Sequence, residues 1–420
     1  MSPGKKILII SHIFPPTAGI GGRRWAKFAK YLSRNGNEVF VICAENATEE
    51  KSLWLNDISD INIKVFPLPM LYPRVLGIAP KNIYGKFQYK IALTHLKLRT
   101  VGNYYDRGQF WKKQLQDKAL DLIKNNGIQN VIVSGAPFHL LPAVVSLKEK
   151  IKHLNVICDL RDPWVNNPEF FGIASLSDER KKHEAELEKY VATQSDTVIT
   201  VAERMTAYYI ETFPLSRTKF ITLHNGYDPD EFPKPEIKNN SSVLKLIFAG
   251  TLYPGTEYLF QSFFEALVFI RNTHPEIYNR IEFNFYGKIS TEFYGKAQEL
   301  GLEIVHCFGS ISLKEVQQKI SGSDLGMLFL NRSLGFSLST KYFEYLAQNK
   351  KIAVFSDSGE TQDFVIEKKI GYALRPETMK NELLKMFSDF ESGKLFEKSD
   401  FDTSQYSLPS LTASLEKLFI

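Results

Sequence analysis

The sequence has few cysteines and no long apolar run, and both absences narrow the classes of protein to which it can belong. Only three cysteines occur in 420 residues, Cys43, Cys158 and Cys307, and each stands in or beside an apolar, strand-like run. They lack metal-ligand spacing, so we expect buried thiols in a reducing compartment. No apolar run approaches the roughly 18 residues that span a membrane.

Charge and short motifs exclude further classes. The net charge of +5 is too mild to indicate nucleic acid. The glycines near residue 20 lack the G-x-G-x-x-G spacing of a dinucleotide site, so no nicotinamide or flavin is expected. Asp228-Pro229-Asp230 has the Asp-x-Asp pattern, but it lies in a proline-containing turn, and we expect no metal. The apolar run at residues 7–10 is too short for a signal peptide, so we expect a cytoplasmic protein.

What the chain has instead is a regular alternation of strand-like and helical patterns. Short apolar runs such as Ile7–Ile10 and Val131–Val133 are separated by stretches with helical periodicity. This alternation predicts an α/β fold with parallel, doubly wound sheets, in which ligands bind beyond the carboxyl ends of the strands. The polar, proline-rich stretch 228–242 indicates a linker. We therefore predict two such domains, 1–227 and 243–395, with a C-terminal helix at 405–420 packing back on the first.

The stretch 337–347, SLSTKYFEYLA, carries the strongest indication of a ligand. It follows the apolar run 325–330 and a loop, so a helix begins here beyond the end of a strand. Residues near its start could hold a phosphate through unpaired N–H groups, the helix dipole or full positive charge. They are Arg332, Ser339, Thr340 and Lys341. Glu344, one turn further in, suits a pair of ribose hydroxyls. The stretch predicts a nucleoside-diphosphate site, and the alternative is an ordinary amphipathic helix with a Ser/Thr cap.

A glycine-rich loop follows the first strand and ends at the start of a helix. Gly21 and Gly22 allow close approach of the backbone to a ligand. Arg23 and Arg24 at the helix start suit a phosphate.

Residues 81–118 form a basic segment. Nine lysines and arginines stand there against only Asp106 and Asp117, a net charge of +7, and aromatic residues such as Phe87 and Trp111 are interleaved. This composition suits an anionic membrane surface, such as the inner face of a cell membrane. The alternative is a solvated face over an ordinary core.

These features together resemble the GT-B architecture of nucleotide-sugar glycosyltransferases, and several stretches resemble its retaining family 4. The stretches are the glycine-rich loop with Arg24, then 159–164 (DLRDPW), 223–228 (LHNGYD), 248–252 (FAGTL) and 339–347. The resemblance runs over nearly the whole chain. It implies two Rossmann-like domains facing across a cleft, with a UDP-, GDP- or ADP-linked sugar bound by the second domain and no cofactor or metal.

The resemblance also implies roles for individual residues. The implied donor-binding residues are Gly21, Gly22, Arg24, Gly250, Thr251, Gly309, Arg332, Ser339, Thr340, Lys341 and Glu344. His139 stands near the place of the family's strand-end histidine and could face the transferred sugar, whereas the alternative is a histidine on a first helical turn. Asp162 could orient the acceptor or form a local ion pair with Arg161.

Two features depart from the family pattern. The first of its two donor-site glutamates is replaced by Phe336, and the basic pair that usually follows the turn at Gly250 is missing. The resemblance still implies a retaining, metal-independent hexosyltransferase. Its acceptor would be a saccharide or polyprenyl-linked saccharide in envelope or capsular polysaccharide synthesis. The alternatives are a nucleotide-sugar epimerase on the same fold and an inactive nucleotide-binding assembly protein.

Overall fold

The chain divides into two compact units, each built around one parallel sheet. The computed structural model describes residues 4–45, 52–77, 80–167, 172–232, 242–252, 255–330, 340–397 and 399–420. The first unit comprises Met1–His224 and Thr412–Ile420, and the second comprises Asn225–Leu411.

The first unit has a seven-stranded sheet in the order β3-β2-β1-β4-β5-β6-β7, and every pair of neighbouring strands is parallel. The strands are β1 Lys6–Ser11, β2 Glu38–Ala44, β3 Ile63–Leu68, β4 Asn130–Gly135, β5 Asn155–Leu160, β6 Thr197–Thr200 and β7 Phe220–Thr222. The helices between them are α1 Arg23–Arg34, α2 Ile83–Arg99, α3 Lys112–Asn126, α4 Leu140–Val145, α5 Asp178–Gln194 and α6 Glu203–Thr212.

The second unit has a six-stranded parallel sheet in the order β10-β9-β8-β11-β12-β13. The strands are β8 Leu244–Thr251, β9 Ile281–Lys288, β10 Val305–Cys307, β11 Leu325–Phe329, β12 Lys351–Phe355 and β13 Gly371–Leu374. The helices are α7 Glu257–Thr273, α8 Pro275–Tyr278, α9 Thr291–Glu299, α10 Leu313–Ser321, α11 Thr340–Ala347, α12 Glu360–Glu367, α13 Met379–Glu391 and α14 Leu408–Glu416, the last of which continues into the first unit.

Continuous apolar runs explain why both sheets are parallel and central. Ile7 to Ile10 of β1 are all fully buried, although their side chains point alternately to the two faces. Helices must therefore cover both faces, which is the arrangement that parallel sheets require. The predicted fold class, α/β with two doubly wound parallel sheets, is confirmed.

The stretch 61–120 is less regular in the sequence, yet β3, α2 and the start of α3 lie within it. Of α2, only Leu96 is buried, so the helix lacks the apolar stripe facing a core that makes helices recognisable. The strand β3 lies at the edge of its sheet, where fewer positions need to be apolar.

The end of the chain packs on the first unit. The Lys5 ammonium donates a hydrogen bond to the Phe419 carbonyl over 2.8 Å, and the Asn155 amide donates to the Leu418 carbonyl over 2.8 Å. The backbone N–H of Ile420 donates to Asn130 Oδ1 over 3.0 Å. These contacts hold the last residues at the amino ends of β4 and β5.

Candidate functional site

The strand order of the second sheet changes direction between β8 and β11. The chain builds one side of the sheet with β9 and β10 and the other with β12 and β13. Ligands of doubly wound sheets bind at such a switch point, beyond the carboxyl ends of the strands. Helix α11, which follows β11, begins at this edge. Arg332 and Ser339 lie outside the described residues, whereas Thr340 and Lys341 form the half-buried first turn of the helix.

Glu344 is a buried carboxylate one turn into α11. It is 3% exposed, and its Oε2 accepts hydrogen bonds from Lys341 Nζ at 2.7 Å and from Gln317 Nε2 at 3.1 Å. Gln348 in turn donates to Gln317 Oε1 over 2.6 Å. The ammonium offsets the charge of the carboxylate, as a buried ionised group requires. Lys341 itself keeps about a quarter of its side chain exposed, so it also reaches solvent.

The neighbouring Tyr345 fixes the height of α11 above the sheet. Its ring is fully buried, and its hydroxyl lies 3.3 Å from the Ile247 carbonyl and accepts the Ala249 N–H over 3.3 Å. A Cβ at Gly326 of β11 would lie 2.3 Å from that ring. The glycine therefore allows the helix to pack closely on β8 and β11, and this packing sets the position of Glu344.

Gly250, Thr251 and Gly309 lie along the same carboxyl edge of the second sheet. Gly287 of β9 has φ +121°, and a Cβ there would lie 1.9 Å from the Gly250 carbonyl. Its N–H donates to the Gly309 carbonyl over 2.7 Å. The ends of β8 and β9 and the segment after β10 thus approach one another through backbone groups alone, because no side chain intervenes.

Lys288 is a cation at this edge that the sequence did not single out. It pairs in register with Thr251, and its side chain is exposed, without a hydrogen bond or ion pair to the part of the chain that the structure describes. The family pattern directs attention to basic residues on the strand that contains Gly250. Here the cation stands on the adjacent strand, and only the pairing of β8 with β9 brings it close.

In the first unit, the predicted phosphate ligand Arg24 is engaged inside the fold. Arg24 is 6% exposed, and its guanidinium donates to the carbonyls of Leu223 at 2.8 Å and His224 at 2.9 Å. It also forms an ion pair with Asp159 at 3.2 Å. A phosphate would have to compete with three oxygens already in place, so the geometry favours a positioning role for Arg24.

Asp159, at the end of β5, is the acceptor that joins these elements. It is fully buried, and its Oδ2 accepts hydrogen bonds from Trp25 Nε1 at 2.8 Å and from Ser134 Oγ at 2.9 Å. Together with Arg24, these bonds tie α1 and β4 to β5. The sequence placed Asp159 at a strand end but did not identify it as the shared partner.

Two predicted loop residues meet beside this cluster. Arg161 donates from Nη1 to the Gly21 carbonyl over 2.7 Å, which holds the glycine-rich loop against the end of β5. Gly22 is buried at the start of α1, where a Cβ would lie 3.4 Å from the Phe14 backbone. Both glycines therefore lie at the carboxyl edge of the first sheet.

Asp162 is a half-buried carboxyl group at the same edge. Burial raises its pKa, and the charge of Asp159 adds to this, whereas the charge of Arg161 acts in the opposite direction. Among the residues that the structure describes, none forms a hydrogen bond with its side chain. As far as the described residues go, its oxygens can accept a hydrogen bond from a ligand.

His139 belongs to a buried network with two carboxyl groups. Its Nε2 lies 2.8 Å from Glu184 Oε1, and Glu184 also accepts from the Trp164 indole at 2.8 Å and the Asn103 N–H at 2.6 Å. Asp106 accepts the backbone N–H of His139 at 3.4 Å. Burial lowers the pKa of His139, but the two carboxylates more than offset this, so the net shift is upward. Glu184 is not among the residues predicted from the sequence, because it lies in the middle of the charged helix α5.

His12 follows β1 at the switch point of the first sheet, which lies between β1 and β4. Its ring packs at 5.2 Å from the Trp111 ring. Burial, and to a lesser degree the charge of Arg107, lowers the pKa of His12 to about 4, so the imidazole is neutral at pH 7.

Two features are absent from the part of the chain that the structure describes. No group of three or more His, Cys, Asp or Glu side chains is arranged to hold a metal ion. Likewise, none of the described helices combines the length and the apolar character needed to cross a bilayer.

The two doubly wound parallel sheets are those of the GT-B fold, and solved structures match the chain from end to end. Sucrose-phosphate synthase from Thermosynechococcus elongatus has a TM-score of 0.65 at 12% identity, over 99% of this chain and 98% of that one. WaaG, a glycosyltransferase involved in lipopolysaccharide biosynthesis, has a TM-score of 0.59 at 14% identity, over 97% of this chain and 99% of that one.

A third match carries the name of a different class of enzyme. A protein described as a UDP-N-acetylglucosamine 2-epimerase from Listeria monocytogenes has a TM-score of 0.56 at 11% identity, over 98% of this chain and 95% of that one. No protein-family model matches the sequence, and no curated protein matches it either. At these low sequence identities the matches establish the fold alone. The function must be inferred from the residues of the site.

Proposed function

We propose that the protein is a glycosyltransferase whose second unit binds a nucleotide-diphosphate sugar. The observation that carries the proposal is α11, a helix that begins at the switch point of its sheet with a buried carboxylate one turn in. The N-terminal end of the helix favours a diphosphate, and Glu344 suits the ribose hydroxyls. The matches to a sucrose-phosphate synthase and to the glycosyltransferase WaaG support this choice.

The donor would change the partner of Lys341. In the structure its ammonium contacts Glu344. When a diphosphate docks at the start of α11, Lys341 turns to it, and the carboxylate that it leaves accepts two ribose hydroxyls. Lys288 and Lys341 then stabilise the charge that builds on the leaving diphosphate as the anomeric bond breaks. This replaces the missing basic pair, and it requires no metal.

The acceptor would bind the first unit. Asp162 is the residue that we favour for orienting its hydroxyl, because no described group occupies the carboxylate. His139 is already engaged by Glu184, so we assign it a positioning role. We further propose a retaining reaction on a saccharide or polyprenyl-linked saccharide in envelope or capsular polysaccharide synthesis. The match to WaaG, which is involved in lipopolysaccharide biosynthesis, supports this class of acceptor.

Nucleotide binding tests the proposal most directly. We would titrate UDP, GDP, ADP and their sugars into the protein by isothermal calorimetry, without added metal. Glu344→Gln keeps the shape of the side chain and its contact with Gln317 but removes the charge. Hydrogen bonds to a charged group contribute about 1.5–3 kcal/mol, so the preferred nucleotide should bind about 10- to 150-fold more weakly.

The matched control is Glu299→Gln, an exposed carboxylate of the same unit that pairs with Lys296. It should leave the affinity unchanged, and both variants should unfold near the temperature of the unmodified protein. Affinity that is equal in Glu344→Gln and in the unmodified protein would remove Glu344 from the site. Failure of every nucleotide to bind would end the proposal, whereas binding without turnover of any donor would indicate the inactive assembly protein.

A nucleotide-sugar epimerase is the second candidate, and the match to the Listeria protein favours it. Incubation of the preferred nucleotide sugar alone separates the two. An epimerase converts the sugar to an epimer that still carries its nucleotide. A glycosyltransferase instead releases the nucleoside diphosphate when an acceptor is added. The anomeric configuration of the new glycosidic bond, read by NMR, tests retention.

A further inference from the structure

Helix α2 displays an apolar stripe to solvent. Its members are between 54% and 87% exposed: Ile83, Tyr84, Phe87, Ile91 and Leu98. At 3.6 residues per turn these positions fall within an arc of about 100° on one face of the helix. Leu96, the one residue of α2 that is buried, lies on the opposite side. The stripe is therefore distinct from the face through which the helix packs on its own unit.

Positive charge borders this stripe. By the same helical geometry, Lys86, Lys90 and Lys97 line one border, and Arg99 lies beyond the other. No acidic residue occurs from Lys81 to Tyr105. Apolar side chains flanked by basic ones, with no acid on the same helix, are typical of helices that lie in the interface of a membrane rich in anionic lipid.

Helix α2 is capped at its start and bonded to α5 at its end. Asn82 caps its start by accepting the Gly85 N–H over 2.8 Å. At its other end, Arg180 of α5 donates to the carbonyls of Lys97 at 2.6 Å and Thr100 at 2.9 Å. The end of the helix that carries Leu98 is thus attached to the first unit.

We propose that α2 lies in the plane of an anionic bilayer surface, with its stripe among the acyl chains and its lysines at the lipid headgroups. A second copy of the chain fits the same face less well, because a symmetric contact would bring the two basic borders together with no acid on either α2 helix to offset them. The proposal rests on the proposed function only in naming the substrate that this surface would present, a lipid-linked saccharide.

Vesicle flotation tests the proposal. The protein should float with phosphatidylglycerol vesicles and not with phosphatidylcholine vesicles, and added salt should release it. The double variant Phe87→Ser/Ile91→Ser should lower the partition coefficient about tenfold or more. Lys86→Gln and Lys90→Gln should each lower it about fivefold. Leu215→Ser, a fully exposed apolar residue of the same unit, should leave it unchanged.

A label reports which residue enters the lipid. Burial raises the pKa of Cys43 to about 12 and that of Cys307 to about 11, and it also raises that of Cys158, so the native thiols react slowly. Leu98→Cys would then take an environment-sensitive fluorophore selectively. Its emission should shift to the blue on phosphatidylglycerol vesicles, and the emission of a label on Leu215→Cys should not.

Three results would overturn the proposal. They are equal flotation with both lipids, an unchanged emission at Leu98→Cys, and a dimer in analytical ultracentrifugation that Phe87→Ser/Ile91→Ser dissociates. The last result would assign the stripe to a second copy. The same variants should bind nucleotide as the unmodified protein does, because α2 lies in the first unit and the candidate donor residues Lys288, Lys341 and Glu344 lie in the second. Failure of membrane binding can therefore be told apart from failure of the proposed function.

Discussion

Replacing Asp159 by asparagine tests how the first unit is held together. The carboxylate is fully buried and accepts from Arg24, Trp25 and Ser134. Asparagine has the same shape but only one acceptor oxygen. If that oxygen faces Trp25, the new amide meets the guanidinium. If it faces Arg24, the amide meets an indole N–H that can only donate. One buried donor loses its partner in either orientation.

The expected cost follows from the charge of Arg24. Removing one partner of a buried ion pair costs about 3–5 kcal/mol, because the remaining charge stays buried without compensation. That is a large part of the roughly 5–15 kcal/mol by which a folded domain is stable. For a unit of this size, the melting temperature falls by about 2–4 °C for each kcal/mol of unfolding free energy that is lost. The melting temperature of the first unit should therefore fall by on the order of 10 °C.

Intrinsic fluorescence follows this unit alone, because all four tryptophans lie in it. They are Trp25, Trp54, Trp111 and Trp164. Urea titration monitored by tryptophan emission therefore reports the unfolding free energy of the first unit without a contribution from the second. The midpoint should fall while the slope with urea stays the same, since the surface exposed on unfolding does not change.

Asp162→Asn is the matched control, three residues further along the same segment. No described group is bonded to that carboxyl, so its substitution should change the unfolding free energy by less than about 1 kcal/mol. A loss of under 1 kcal/mol for Asp159→Asn as well would refute the reasoning. The guanidinium of Arg24 would then not depend on Asp159, and its predicted role as a phosphate ligand would regain support.

Two further predictions concern buried groups. Burial raises the pKa of Glu188 from 4.5 to about 7, so the stability of the first unit should fall by about 3 kcal/mol as pH rises across that window. Glu188→Gln, which can still accept the hydrogen bond from Tyr209, should remove this loss in urea titrations at pH 8 and change little at pH 5. A pH-independent difference would contradict the assignment. Gly326→Ala should cost about 1–3 kcal/mol and weaken nucleotide binding, because its Cβ displaces the Tyr345 ring and with it α11. Gly295→Ala, on an open helical position, should be neutral or stabilising by up to about 1 kcal/mol, and thermal unfolding of both variants checks this difference.

The sequence predicts the fold well where burial is continuous. Runs such as Ile7–Ile10 leave no choice but a strand covered on both faces, and the helix predicted after the apolar run 325–330 is present as α11. Prediction from the sequence fails at α2, because this helix has a single buried residue and therefore no apolar face toward a core. The feature that hides α2 from a search for core-facing periodicity, an apolar stripe on the outside, is also its clearest functional signal.

Some residues of the candidate site also cannot be identified from the sequence alone. Glu184 lies within a helix that reads DERKKHEAELEKY, where a carboxylate in the middle looks like one of many solvated charges. Only the packing of α5 against the segment that contains Asn103 shows that it is buried and bonded to His139. Lys288 depends in the same way on the register of β8 with β9. Residues that act through tertiary partners have no local signature to recognise.

The two sheets use their carboxyl edges in opposite ways, and this difference supports the assignment of roles. At the first edge, Arg24 is paired with Asp159 and His139 with Glu184. These charged groups therefore hold elements of the unit together. Asp162 is the carboxyl group at that edge for which no described partner stands in the way of a ligand. A single hydrogen-bond acceptor suffices to orient a neutral hydroxyl, but it does not bind a diphosphate. The second edge has exposed Lys288, half-buried Lys341 and a helix start, which are the groups that a diphosphate requires. This contrast supports the proposal that the donor binds the second unit, where Lys341 is paired with Glu344 but still reaches solvent, and that the acceptor binds the first.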